Sequence, residues 1–471
     1  MSKNYRLLLK NSLLLSLSPF LPQVINVLLL PVMTKYLTAV DFGISATISA
    51  YTLAISAFST LGLTVVIQNS FFKHPHHYKI VWRQIYGFLN IWMIVYAGFQ
   101  ALLLYFFIPE EAIENRWLII ILTNFSTVFF GPTAVIGNAY YIYTKHSYPV
   151  VWRSVVASLI TIFSNYILIV HFKLGYLGWY ISSFIGTFFS NASYWYVLNL
   201  KLELKPIYKF KWKSLKNNLL ISIPTIPHYY TSYLLDGSGR LILDQNNISQ
   251  REMGRLGITQ QIGGLFQTGM RGINQAISPY IMQALKDNKP KIIEKFGLIF
   301  VVLIFGIAFT LSLWSREIFD ILLSNDSLKS AYPFFIVYVM ALCYRPMYLI
   351  ASNYYFYFEK TKQLLLITFL SGCLAFSIYM IFVPLYGVWA FLIGHYTACL
   401  YYGYSGYFYS GYTKNSTLKA PVFRIMLLQI FLTFTAFVLV EYLIAKIIIT
   451  CLLLSYIAIF LYKNKNVFKK Q

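Results

Sequence analysis

Four arginines, Arg240, Arg255, Arg271 and Arg345, fall inside long apolar runs. A guanidinium presents a planar fork of donors that matches phosphate oxygens, so cations in such surroundings suit an anionic, phosphate-bearing ligand. Each arginine costs about 2.5 to 3.5 kcal/mol at a bilayer centre, so four would cost on the order of 10 kcal/mol if central and unaccompanied. Asp236, one helical turn before Arg240, is the acid within these runs, and its spacing suits an intrahelical ion pair as well as an ion-coupling role. Arg271 and Arg345 have no acid in their own runs, which makes them the leading candidates for holding an anion. His228 follows Pro227 in a proline-bent segment and is a second coupling candidate, weighed against an ordinary hydrogen-bonded core histidine.

Around these charges the polar residues are periodic. Gln260, Gly264, Gln267, Arg271, Asn274 or Gln275, and Ser278 recur at spacings of three and four, so they share one helical face. Gln260 and Gln267 therefore join the arginines as candidate ligand-binding residues. Ser45, Ser49, Thr52, Ser56 and then Ser59 or Thr60 follow the same rhythm in an earlier run. Metal chemistry has little to draw on. His74-Pro-His76-His77 lies in a hydrophilic loop with no neighbouring Cys or carboxylate, and Cys343, Cys373, Cys399 and Cys451 show no CxxC spacing. Neither a metal nor a cofactor is expected. The cluster Tyr401, Tyr402, Tyr404, Tyr407 and Tyr409 points in several directions around one run, where packing and interfacial belts compete with a glycan path.

The elements that position these residues are membrane helices. Of 471 residues, 58% are apolar, 19% aromatic and 11% charged, and the mean hydropathy is +0.61. Soluble domains carry about 25% charged residues. A span needs roughly 20 apolar residues, and fourteen runs qualify: 11–34, 42–66, 84–108, 117–142, 149–170, 176–199, 217–243, 253–282, 297–314, 332–357, 363–384, 387–411, 422–440 and 447–462. The first extends through Pro19, Pro22 and Pro31 without a small-residue cleavage site, so it reads as an uncleaved helix. With the N-terminus inside, most of the 38 Lys and Arg fall on cytoplasmic segments, as the positive-inside rule requires. The net charge of +23 is thus a topology signal facing anionic lipid headgroups, and no nucleic-acid partner is implied.

The chain also repeats itself. Lys10-Asn-Ser-Leu-Leu-Leu-Ser-Leu17 matches Lys216-Asn-Asn-Leu-Leu-Ile-Ser-Ile223, each followed by Pro-x-x-Pro. Thr38-x-x-Asp41 before Gly43 matches Ser249-x-x-Glu252 before Gly254, both written as capping boxes. Tyr140-Tyr-Ile-Tyr143 pairs with Tyr354-Tyr-Phe-Tyr357, and Gly175 pairs with Gly387, at a nearly constant offset. The fold expected is an all-α polytopic membrane protein of about fourteen transmembrane helices: two six-helix lobes at 1–200 and 217–412, a basic linker at 201–216, and two further helices with a basic tail at 413–471. Six spans per repeat is even, so both lobes insert in one orientation, as parallel transporter repeats do.

Three segments carry a family resemblance. They are Leu29-Leu-Pro-Val-Met-Thr-Lys-Tyr-Leu-Thr-Ala-Val-Asp-Phe-Gly43, Tyr354-Tyr-Phe-Tyr-Phe-Glu-Lys-Thr-Lys362 and Val383-Pro-Leu-Tyr-Gly387. Together they resemble the polysaccharide and O-antigen repeat-unit flippases, in the superfamily that also holds multidrug extruders and lipid II flippases. The resemblance implies a bacterial inner-membrane protein, both termini cytoplasmic, that translocates an undecaprenyl-diphosphate-linked oligosaccharide by alternating access. A monomer is expected, with a glycan polymerase and glycosyltransferases as its partners. Lipid II flippases carry arginine in their first span and drug extruders commonly a carboxylate, whereas this one offers Gln23 and Asn26. Two rivals are weighed: an organic-cation antiporter that would depend on Asp236, and a membrane glycosyltransferase or polymerase. The latter is expected to need a larger outer loop than Ser315 to Ala331.

Overall fold

In the computed structural model the described residues are 20–73, 75–144, 146, 148–210, 212–226, 230, 233–235, 237–358, 360–414 and 422–463, and the regular elements among them are all helices. A bilayer leaves no other choice for an open chain, because each backbone amide and carbonyl must find its partner within the segment. The chain divides into two compact units, Met1–Tyr233 and Leu234–Gln471.

The first unit holds α1 (Phe20–Leu28), α2 (Ala39–Ser56), α3 (Thr64–Lys73), α4 (Tyr78–Phe107), α5 (Arg116–Tyr143), α6 (Tyr148–Asn165), α7 (Tyr176–Tyr196) and α8 (Trp212–Ser222). The helix α7 packs between α5 and α6, and α4 lies against both α2 and α5. Its core clusters Trp82, Ile85, Tyr86 and Leu89 of α4 with Leu63, Ile67, Ile136 and Leu198. Polar atoms in that core are paired: Trp82 Nε1 donates to the Ile67 carbonyl at 3.0 Å, and the Tyr86 and Thr133 hydroxyls lie 2.8 Å apart. The basic linker is part of this unit. Arg83 Nε donates to the Lys205 carbonyl and Ile207 N to the Arg83 carbonyl, each at 2.9 Å. At Gly87 a Cβ would stand 2.1 Å from the Ile207 carbonyl oxygen, so only glycine lets the linker lie this close. The division between units accordingly falls after Tyr233, beyond the 201–216 segment that the repeat suggested.

The second unit holds α9 (Ser238–Gln245), α10 (Gln250–Lys286), α11 (Pro290–Leu313), α12 (Ser315–Leu322), α13 (Tyr332–Leu342), α14 (Arg345–Tyr357), α15 (Thr361–Tyr386), α16 (Val388–Tyr404), α17 (Val422–Leu439) and α18 (Leu443–Lys463). Here α10 packs against α11, α13 and α14, and α16 against α13, α14 and α15. The pair α17 and α18 packs against α11, fastened by polar groups at its turn. Lys446, 1% exposed, donates to the Glu317 carboxylate and lies 5.2 Å from the Trp314 ring centroid. Arg316 pairs with Glu441, which also accepts from the Tyr332 hydroxyl at 2.5 Å. Among the described residues, eight helices are long and apolar enough to cross a membrane, or nine when the 68° bent pair Gly297–Leu313 and Ser315–Leu322 counts as one. That measure does not reach the fourteen expected. The α10 helix is continuous, but its glutamines and arginines lower its hydropathy, and α16, at 17 residues, spans only about 26 Å at 1.5 Å per residue.

The internal repeat survives as geometry. Gly175 and Gly387 begin α7 and α16 with the same backbone, φ 55°, ψ −135° and φ 54°, ψ −131°, a region open to glycine alone. The Thr38 capping box forms fully: Thr38 N donates to Asp41 Oδ2 at 2.7 Å and Asp41 N to Thr38 Oγ1 at 3.2 Å. Asp41 Oδ1 also accepts from Tyr176 N at 2.9 Å, so one carboxylate holds the starts of both α2 and α7. In the second unit Glu252 N reaches Ser249 Oγ at 3.4 Å, while the Glu252 carboxylate turns to Arg255. Gly175→Ala places a methyl 2.7 Å from Asp41 Oδ1, whereas at Gly387 the nearest atom, Ile248 Cδ1, is 3.4 Å away. Both substitutions cost more than about 1 kcal/mol for the backbone. Gly175→Ala is expected to lower the thermal midpoint of the purified protein further than Gly387→Ala, and equal shifts would show the Asp41 contact to be immaterial.

Candidate functional site

In the second unit the charged residues sit on several different elements. The long helix α10 begins beside Ser249 and carries Arg255 one turn in, then Gln260, Gln267 and Arg271 along its length. Arg255 is held from three sides. Its Nη1 is 2.6 Å from Glu252 Oε1, its Nη2 donates to the Ser330 carbonyl at 2.7 Å, and its Cζ lies 5.1 Å from the Phe334 ring centroid. Such a guanidinium is a structural pin for the start of α10. Arg240, on α9, donates to the Gln260 side-chain oxygen, so the fold brings two of the sequence candidates together. Gln267 is half-buried and Arg271 is exposed. The side chains of Asn274, Gln275 and Ser278 lie outside the described residues, as do His228 and Asp236.

Arg345 occupies a different kind of place. Residues Tyr332–Tyr357 form one candidate span, yet the helix stops at Leu342 and restarts at Arg345, with Pro346 in its first turn. Proline disfavours helical backbone in the residue before it and cannot donate its nitrogen, which explains the interruption. Arg345 is half-buried at the restart, where the helix dipole disfavours positive charge and favours an anion. An anion bound there would be favoured by the helix terminus. Helices α10 and α14, which carry Arg271 and Arg345, pack against each other.

Sequence reasoning passed over His395. It is 1% exposed on α16, stacked on Tyr338 with ring centroids 5.3 Å apart, its Nδ1 3.3 Å from the Leu235 carbonyl and its Nε2 3.6 Å from Cys399 Sγ. A histidine inside an apolar run was the available signal. The α16 tyrosines and their neighbours go to packing: Tyr407 donates to the Met347 carbonyl at 3.0 Å, Tyr404 donates to Gln429, and Tyr402 stacks on Tyr348 at 3.9 Å.

In the first unit the hydroxyl stripe divides. Ser45, Ser49 and Thr52 line a cavity of about 310 Å³ together with Gln100, Thr123, Ser126 and Thr187. Ser56 and Ser59 instead donate to backbone carbonyls at 2.8 and 2.6 Å. Only the α2 wall was legible as a stripe. The α5 and α7 walls repeat hydroxyls at three- and four-residue spacing, Thr123, Ser126 and Thr127 on one, Ser183 and Thr187 on the other, and that was the missed signal. A larger cavity, about 610 Å³, lies at the opposite, basic end between α4, α5, α7 and the linker, with Asn90, Asn199, Lys205 and Tyr208 among its walls.

Apolar helices of membrane-crossing length, charged residues inside them and polar cavities define a multi-pass membrane protein. Residues 8–285 match the family described as "Polysaccharide biosynthesis protein". The chain belongs to that family. A Lsg locus protein of Haemophilus influenzae is 27% identical over 186 residues, 39% of this chain, and the match spans 45% of that relative's length. Among solved structures, a lipid II flippase, MurJ, in an inward closed conformation superposes with a TM-score of 0.70 at 14% identity, covering 97% of this chain and 99% of that one. An inward-facing multidrug transporter of the MATE family gives 0.56 at 14% identity, covering 87% and 94%. The Vibrio cholerae transporter VcmN gives 0.53 at 13% identity, covering 86% and 94%. These likenesses show the fold: the helical architecture of this chain is similar to that of MurJ and of the MATE proteins.

A double-mutant cycle separates a pinning Arg255 from a ligand-binding one. Glu252→Gln and Arg255→Ala are each expected to destabilise the purified protein, and their combination to do so by less than the sum, leaving a coupling of about 0.5 to 3 kcal/mol. Additive effects would show that the pair is not what holds Arg255.

Proposed function

We propose that the protein is a flippase for undecaprenyl-diphosphate-linked polysaccharide repeat units in the bacterial inner membrane, working by alternating access with both termini cytoplasmic. The observation that carries the reading is Arg345 at a proline-broken point within a candidate span, in a chain of the polysaccharide biosynthesis family. Positive charge within a span marks a substrate path more often than a packing role, and a diphosphate linked to a lipid supplies the matching anion while its prenyl tail remains among acyl chains. Arg271 extends the positive charge along the adjoining helix, with Gln267 and the Arg240–Gln260 pair as polar contacts. Arg255 supports the site by fixing the start of α10. Asp236 and His228 are the coupling candidates, and a monomer acting beside a polymerase and glycosyltransferases completes the reading.

The test is made in cells. Arg271→Ala with Arg345→Ala should abolish surface glycan while the protein persists in the membrane at its normal level. Normal glycan in the double variant removes the proposal. Organic-cation transport by the purified protein that is lost in Asp236→Asn would replace it with an antiporter.

A further inference from the structure

The hydroxyl-lined cavity of the first unit takes no part in the charge chemistry above, yet it is built for a ligand. It lies near the end of the unit where Asp41 and Gly175 hold the starts of α2 and α7, away from the basic linker. We propose that this cavity is a saccharide site that receives a sugar ring of the lipid-linked substrate. The assignment rests on the flippase reading and specifies which part of the cargo the first unit holds.

The wall chemistry selects the ligand class. Among the described residues no charged side chain lines the cavity, so a phosphate or an organic cation would lose its hydration there without a countercharge. A metal ion would want carboxylate oxygens, which these walls do not supply. What they supply is hydroxyl and amide. Thr123 donates to the Ile119 carbonyl at 2.8 Å and Thr52 to the Ser49 carbonyl at 3.0 Å. Those donors are thereby committed, and each oxygen keeps lone pairs that can accept from a ligand hydroxyl. Gln100, 6% exposed, offers an amide that both donates and accepts. The Tyr180 hydroxyl lies beside Ser45, buried and without a hydrogen bond of good geometry. A buried polar group left so is costly, and a ligand hydroxyl would satisfy it.

The lining and the size agree. Trp179 also lines the cavity, and an indole offers a flat apolar face against which the C–H side of a pyranose ring can lie, with a polar edge beside it. The volume of about 310 Å³ is at the lower end of the range of roughly 300 to 1,000 Å³ for small-molecule pockets. It suits one or two sugar rings, not a whole repeat unit. Specificity for the glycan would then reside in the residues of this cavity, which are not those proposed to hold the diphosphate.

The experiment uses the full chain in lipid nanodiscs and two probes, undecaprenyl diphosphate alone and the same lipid bearing one N-acetylhexosamine. The wild type is expected to bind the sugar-bearing lipid at least tenfold more tightly. Ser49→Ala combined with Thr123→Val removes two hydroxyls at nearly constant volume and should bring that ratio close to one. A ratio unchanged in the variant, or a wild type that binds both lipids equally, overturns the saccharide site and leaves the flippase reading standing. A wild type that binds neither lipid overturns that reading itself. Should the double variant bind neither lipid, Ser49→Ala alone supplies the ratio: a fall toward one supports the saccharide site, and no change overturns it.

Discussion

The constraint on which this structure depends is that hydrocarbon offers no hydrogen bonds. Any polar atom placed among acyl chains must be answered from within the protein or from a wet cavity. In a chain with so small a share of charged residues, each polar side chain inside a span therefore carries information. Most are answered locally: serines and threonines donate to the carbonyl three or four residues earlier, as Thr144, Ser158, Ser182, Thr259 and Thr310 do. These residues cost little and imply little. The informative ones are those whose answer comes from another helix or from a cavity wall.

By that measure the two units are duplicates of a frame with different contents. The frame is retained at the level of dihedral angles in Gly175 and Gly387, and in the start of the second helix of each repeat at Thr38 and Ser249. The contents diverge. Where the first unit has Ser49, Ser56 and Thr60, the second has Gln260, Gln267 and Arg271 at equivalent positions. One helix thus contributes hydroxyls to a neutral cavity, and its counterpart carries a guanidinium and amides. A duplicated scaffold with unequal linings gives its two units different chemistry on the same frame.

How much of this was legible beforehand follows from the length scale of each signal. The helical class, the membrane setting, the family and the repeat are written in composition and in motifs many residues long, and the sequence carries them openly. The α2 hydroxyl stripe was readable because its period lies within one helix. Partners that lie far apart along the chain were not. Nothing near Arg255 in sequence announces Ser330 and Phe334, and nothing in the Asp41 capping box announces Tyr176. The exposure of Arg271, the pairing of Arg240 with Gln260 and the depth of His395 likewise depend on which faces meet. Pro346 was visible as a residue, but its effect, a helix restart that begins at Arg345, is a property of the backbone it interrupts.

The anchoring of α17 and α18 bears on how the protein is made. Glu317 sits on α12 and its cationic partner Lys446 belongs to α18, more than a hundred residues later in synthesis. Until the ribosome has delivered that helix, a carboxylate beside the α11 bend waits at the membrane without its counterion, and Arg316 waits for Glu441 in the same way. The order of synthesis thus sets the order of pairing: Arg316 and Glu317 are made before Glu441 and Lys446 can answer them. A translation product that stops before Glu441 lacks the partners of both Arg316 and Glu317, so the last two helices complete the charge pairing at this turn.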